Sequence, residues 1–154
     1  MPLKLSTGLR TAMLDTNSFQ DLMANGVLYL YTGAQPDPDA AATGTLLSKI
    51  TVASGAFAHG TATNGLNFGA AAAASIAKST SEVWSGVGIA SGTAGWFRFC
   101  ANGTDSEPTD ADTTRKSFDG AVATSGAQLN MASTTITAGA TNTIDTFVFN
   151  LPNV

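Results

Sequence analysis

The sequence predicts a mainly β protein, an antiparallel β-sandwich or barrel with a short helical segment at its N-terminus. Three observations lead there. Short apolar or alternating runs recur at roughly 8–12-residue spacing between turn residues. Helical periodicity is confined to residues 1–26. The chain is 44% hydrophobic with a net charge of −4, whereas disordered chains combine low hydrophobicity with high charge. At 154 residues it has the length of one domain, 1–154, divided into the helical segment 1–26 and a β body 27–154.

Leu5, Leu9 and Met13 recur at i, i+4, i+8 and predict a first helix, with Ser6 or Thr7 as its cap. A second helix should start at Ser18, with Asp21 three residues on and Phe19, Leu22 and Met23 as its apolar side. Asn25-Gly26 ends it. Val27–Tyr31 is apolar at every position and predicts a strand covered on both sides. Residues 35–39, rich in Pro and Asp, break it and open an exposed loop to about Gly44. Leu46–Val52 predicts the next strand, with Leu46, Ile50 and Val52 on one face and Lys49 and Thr51 on the other. Phe57 and residues 66–68 are short candidates separated by the turn pair Asn64-Gly65. The alanine run 70–74 is too short to nucleate a helix, so 70–81 should be an irregular connection or a single turn.

Residues 82–89 predict a strand with Val83, Val87 and Ile89 on one face and Gly86 and Gly88 on the other. Gly92-Thr93 should turn it into 94–100, whose Trp96, Phe97 and Phe99 mark a core strand. Segments 118–123, 128–137 and 141–151 complete the series. In the last, Ile144 and Val148 alternate with Phe147, Phe149 and Leu151, so both faces should be covered. The expected core is Leu28, Leu30, Trp96, Phe97, Phe99, Ile144, Phe147 and Phe149.

Only 12% of residues are charged, about half the usual share. Ala (26), Thr (22), Gly (16) and Ser (13) make up half the chain. A surface of small neutral groups loses little side-chain entropy and little ion hydration when another protein covers it. That favours a protein made to pack against others; an extracellular β-protein shares the same composition. Seven scattered basic residues and a pI near 4.6 argue against a nucleic-acid surface. No apolar run approaches the ~20 residues of a membrane span, so no membrane partner is expected. Residues 1–7 lack the continuous apolar run of a signal peptide, and Cys100 has no second cysteine to pair with. Both fit assembly in a reducing cytoplasm.

The densest charge lies at Asp105, Glu107, Asp110 and Asp112, followed by Arg115 and Lys116. The spacing lacks the central glycine and distal glutamate of a calcium loop, and Pro108 interrupts it, so a solvated loop is expected. His59 is the single histidine, and no nucleophile motif surrounds any serine. One histidine and one cysteine cannot assemble a conventional zinc site. Neither Gly86-Val87-Gly88 nor the Thr43-Gly44 stretch leads from a strand into a helix as a phosphate loop does. Trp84 and Trp96 would serve as a sugar platform if exposed, but their strand setting favours core packing. No catalytic residue, metal or cofactor is expected.

The segments ANGVLYLYTGAQP, at 24–36, and GIASGTAGWFRF, at 88–99, with LSTGLRTAML and the terminal TNTIDTFVFNLP, resemble small virion structural proteins of tailed bacteriophages and prophages. The resemblance implies a non-enzymatic capsid decoration (cement) protein that bridges and stabilises major capsid subunits. A tail or neck ring component is the alternative, and a carbohydrate-binding β-sandwich stands as a third reading from another class. The implied partners are the major capsid protein and copies of the chain itself, as a trimer, within the virion. Pro2, Leu3, Lys4 and Leu5 are the candidate partner-contact residues, an N-terminal arm that would add to a neighbour's sheet.

Overall fold

The computed structural model describes residues 2–61 and 63–151. Lys4–Leu5 forms a strand, β1, rather than the first turn of a helix. Helix α1 (Thr7–Asp15) begins only after Ser6, whose hydroxyl accepts the Leu9 N–H at 3.2 Å. The Leu5, Leu9, Met13 period therefore spans two elements. Leu9 is buried from the helix, and Leu5 and Met13 pack against the same core from the strand and the next turn. Helix α2 (Phe19–Met23) has the expected cap: the Asp21 N–H donates to Ser18 Oγ at 3.2 Å, and the Ser18 hydroxyl donates to Asp21 Oδ2 at 2.6 Å. Asn25, not Gly26, adopts positive φ (56°) after it. Gly26 instead exchanges backbone bonds with Leu66 at 3.1 and 2.7 Å.

The strands that follow are β2 (Val27–Tyr31), β3 (Leu46–Val52), β4 (Ser75–Ala77), β5 (Trp84–Val87), β6 (Gly92–Thr93) and β7 (Trp96–Cys100). Then come β8 (Ser117–Ala123), β9 (Leu129–Asn130), β10 (Thr135–Ile136), β11 (Thr141–Ile144) and β12 (Val148–Asn150). The mainly β class holds. One large sheet runs β1-β8-β7-β2-β3-β5-β11, with neighbours antiparallel; β9 lies beside β8 in parallel. Two-stranded ribbons, β6–β10 and β4–β12, accompany it.

Strand alternation sorts the core onto two faces. Leu28, Leu30, Phe97, Phe99 and Phe118 belong to the larger cluster, together with Leu9 and Met23 from the helices, Ile76 and Phe149 from the β4–β12 ribbon, and Leu66 and Phe68. Val27, Tyr29, Tyr31, Trp96 and Cys100 form a second cluster under Ala42, Leu46 and Phe57. Every expected core residue is buried, though Trp96 belongs to the second cluster.

Four expectations are corrected. Between Leu30↔Ser48 and Tyr31↔Leu46 the β2–β3 register shifts by one residue. This bulge sends Leu46 to the second cluster while Leu47 and Ile50 join the first, so Leu46 does not share a face with Ile50. In 82–89 the faces are inverted: Val83, Val87 and Ile89 are exposed, while Trp84 and the glycines are buried. The glycine face is the covered one because a Cβ at Gly86 or Gly88 would strike the carbonyls of Lys49 or Thr137. Gly92–Thr93 is not a turn but a strand paired with residues 135–136. Segments 128–137 and 141–151 each divide into two short strands, and the last is only partly covered: Ile144, Phe147 and Phe149 are buried, whereas Val148 and Leu151 are exposed.

The alanine run ends in a tight hairpin. Ala72 and Ser75 exchange backbone bonds at 2.9 and 3.0 Å around Ala73 (φ 51°) and Ala74 (φ 60°). Two successive left-handed residues match a type I′ turn, which favours Asn-Gly and strains alanine. Both positions are exposed. The double replacement Ala73→Asn, Ala74→Gly should stabilise the protein by ~1 kcal/mol. An unchanged or lower denaturation midpoint would contradict this turn geometry.

Candidate functional site

Strand register lines up five polar residues across the sheet. Lys49 of β3, Tyr29 of β2, Arg98 of β7, Asp119 of β8 and Lys4 of β1 are successive cross-strand partners. Arg98 Nε and Nη2 donate to Asp119 Oδ1 and Oδ2 at 2.8 and 2.7 Å, with both side chains fully buried. Burial opposes both charges and raises the pKa of Asp119, while the two-pronged contact holds Arg98 protonated and above its usual pKa.

Arg98 and a second fully buried arginine, Arg115, clamp the loops above this face. Arg98 donates to the carbonyls of Ala40 (2.8 Å) and Asp37 (3.2 Å). Arg115 donates to those of Pro38 (2.9 Å), Ala40 (2.8 Å), Glu107 (3.2 Å) and Asp110 (2.6 Å). Lys4 Nζ reaches Pro36 O at 3.1 Å, and the Asp39 carboxylate accepts the Thr7 N–H and hydroxyl at 2.8 and 2.6 Å. The loop at 35–42 is thus held to β1, α1 and the acidic stretch together.

The acidic stretch has its carboxylates dispersed. Asp105 pairs with Lys116 at 3.0 Å, which outweighs burial and keeps its carboxyl below the usual range. Asp112 accepts the Thr114 hydroxyl and N–H, each at 2.7 Å, which lowers its pKa as well. Glu107 and Asp110 contribute their backbone carbonyls to Arg115. No group of three or more His, Cys, Asp or Glu among the described residues is placed to hold a metal. What this segment does is wrap a buried guanidinium in carbonyls.

The remaining chemistry gathers in a cleft of about 330 Å³ lined by Tyr29, Tyr31, Lys49, His59, Glu107 and Thr109 among others. His59 Nε2 lies 3.0 Å from the Tyr29 hydroxyl. Lys49 Nζ donates to Phe57 O at 2.8 Å and sits 5.2 Å from the centre of the Phe57 ring. Burial lowers the pKa of His59 and of Lys49 and raises those of both tyrosines. The imidazole and phenols are therefore neutral near pH 7, and His59 and Tyr29 bond to each other. Cys100 is fully buried, and burial pushes its thiol up to about 12. Trp84 and Trp96 have no exposed surface, so neither offers a sugar platform.

The candidate contact residues are mostly built into the chain's own sheet. Pro2 is exposed, but Leu3 and Leu5 pack against the core, and Lys4 and Leu5 pair with Asp119 and Phe118. The next residue, Ser6, is fully buried; its hydroxyl donates to Arg115 O at 2.6 Å and accepts the Ser117 N–H at 3.0 Å. Residues 2–6 are thus a structural edge of the sheet, not a free arm. The segment is held because its strand residues pair with β8 and its serine caps α1.

A different surface stands out. No charged residue lies between Glu82 and Arg98, or between Asp119 and Asp145. The fold brings these two stretches together as the β5–β11 pair and the β6–β10 ribbon. The resulting end of the molecule exposes Val83 (58%), Val87 (48%) and Ile89 (57%). It terminates in β11, which has no strand on its outer side among the described residues. In the sequence these stretches read as separate strands; only the topology joins them into one neutral end. No family model matches the chain, and no curated protein or solved structure is significantly similar to it.

Proposed function

We propose that the protein is a non-enzymatic virion structural component of a tailed phage, a capsid decoration protein that bridges and stabilises major capsid subunits. The observation that carries this reading is the charge-free end with its exposed valines and isoleucine. Covering it strips few hydrated ions and immobilises few long side chains, so little opposes the apolar gain. At the opposite edge the arginine-clamped loops give the domain a rigid body, which limits the ordering cost of association. Modest contacts repeated around a closed shell then add up, since each copy holds neighbours already linked by others. Resemblance of the sequence to phage virion proteins supplies the particle.

The test is a copy count on purified virions, combined with the protein's position in an electron-microscopy map. Decoration requires copies on the order of hundreds, spread over the shell. A single ring at the neck or tail would move the protein to the connector, the alternative reading. Absence from the particle would sink both.

A further inference from the structure

The direction of every peptide group at the neutral end follows from the hydrogen bonds of β5. Its odd-numbered side faces β3: the Ala53 N–H donates to Val83 O at 2.8 Å, and the Ile89 N–H donates to Leu47 O at 2.7 Å. Its even-numbered side faces β11, with the Gly88 N–H donating to Ala140 O at 2.8 Å. In the register Gly86↔Asn142 and Trp84↔Ile144, the even residues of β11 turn their peptide groups inward. Thr141 and Thr143 must then turn theirs outward, where no strand lies among the described residues.

Soluble proteins blunt such an edge with lysine, proline, a bulge or a covering element. The other end of the sheet is treated that way: β8 is covered by β1 along one half and β9 along the other, and β1 itself is two residues long with Lys4 in it. The sequence of β11, Thr-Asn-Thr-Ile, has no lysine or proline, and the segment 131–135 only lines a cavity of about 300 Å³ with it rather than pairing with it.

We propose that two copies of the chain join antiparallel through their β11 strands, forming a sheet continuous across both. The register that pairs both outward threonines of one strand with those of the other places Thr141 opposite Thr143 and Asn142 opposite Asn142. Each Thr141–Thr143 pair exchanges two hydrogen bonds, and two-fold symmetry supplies two such pairs. Threonines opposite one another are favourable cross-strand partners, and here they share a face with Val87. Charge selects the second copy as the occupant. In this register the one nearby charge, Asp145, falls opposite Gly139 and not opposite the other Asp145, and a charged foreign strand would find no counter-charge on the edge. The pairing stands on strand geometry and does not depend on the virion reading.

Sedimentation equilibrium of the full chain, with two variants, tests it. The wild type should contain a dimer at ~100 μM, a concentration that populates even a weak association. Thr143→Pro removes an outward N–H while the inward bonds belong to Asn142 and Ile144, so it should yield a monomer with an unchanged melting temperature. Asn142→Cys should form an inter-chain disulfide on mild oxidation, because facing non-hydrogen-bonded residues sit within disulfide reach at ~4.5 Å between Cα atoms. Val148→Cys, exposed on another strand, should stay uncrosslinked. A monomeric wild type, including one that gains mass only with an added partner, overturns the proposal. So does a dimer that survives Thr143→Pro and fails to crosslink through Asn142→Cys.

Discussion

Arg98→Ala should cost roughly 3–5 kcal/mol, because it leaves the Asp119 carboxylate buried without its partner. Both side chains are fully buried and meet through two hydrogen bonds, at 2.8 and 2.7 Å. Arg98 also donates to the carbonyls of Ala40 and Asp37, so its loss removes two of the bonds that hold the 35–42 loop, although Arg115 and the Ala40 N–H still serve those acceptors. The double variant Arg98→Met, Asp119→Leu should recover much of the loss, since two apolar side chains leave no orphan charge. Denaturant titration gives both values. A cost below about 1 kcal/mol for Arg98→Ala would mean that water reaches Asp119 and that the clamp does not hold the loop.

What the sequence made legible here, and what it did not, divides by range. The Ser18–Asp21 cap was readable because its two groups are three residues apart on a chain already turning. Trp-Phe-Arg-Phe-Cys was readable as a core strand, and the arginine inside it was visible. Its partner was not: Asp119 becomes the partner of Arg98 only through the β7–β8 register, which depends on where both strands begin. The same holds for the row from Lys49 to Lys4, whose five members come from five strands. Leu46 illustrates a second limit, since a bulge reverses the faces without altering the apolar pattern. The N-terminal segment illustrates a third. Its leucines fit a helical period, yet a strand followed by a helix delivers them to the same core. Composition did anticipate a surface poor in charge, but not that the uncharged stretches would meet at one end.

The strand 82–89 shows why alternation needs a second piece of information. It separates two faces and cannot say which one is covered; β-branched residues on one side and glycines on the other suggest that the valines face the core. The fold does the opposite, because neighbouring backbone fills the space over Gly86 and Gly88. Val87→Ala should therefore change stability by about 0.5 kcal/mol or less, as expected for an exposed site.

Phe99→Ala should cost roughly 3–5 kcal/mol. The ring is fully buried and lies against Phe118 (5.1 Å between ring centres, stacked), Phe68 (5.3 Å) and Trp84 (6.0 Å). The cavity left behind has little means of closing. Phe99 is flanked by Leu28 and Phe118 on paired strands, and Gly26, whose missing Cβ makes room for the ring, is tied to Leu66 through two backbone bonds. Atoms around the site are thus fixed by ladders that a single deletion does not release, which puts the cost toward the upper part of the range. The measurement is a denaturant midpoint with an unchanged m-value. A loss below about 1 kcal/mol for Phe99→Ala, or above about 2 kcal/mol for Val87→Ala, would reverse the assignment of sheet faces and with it the exposed end on which assembly depends.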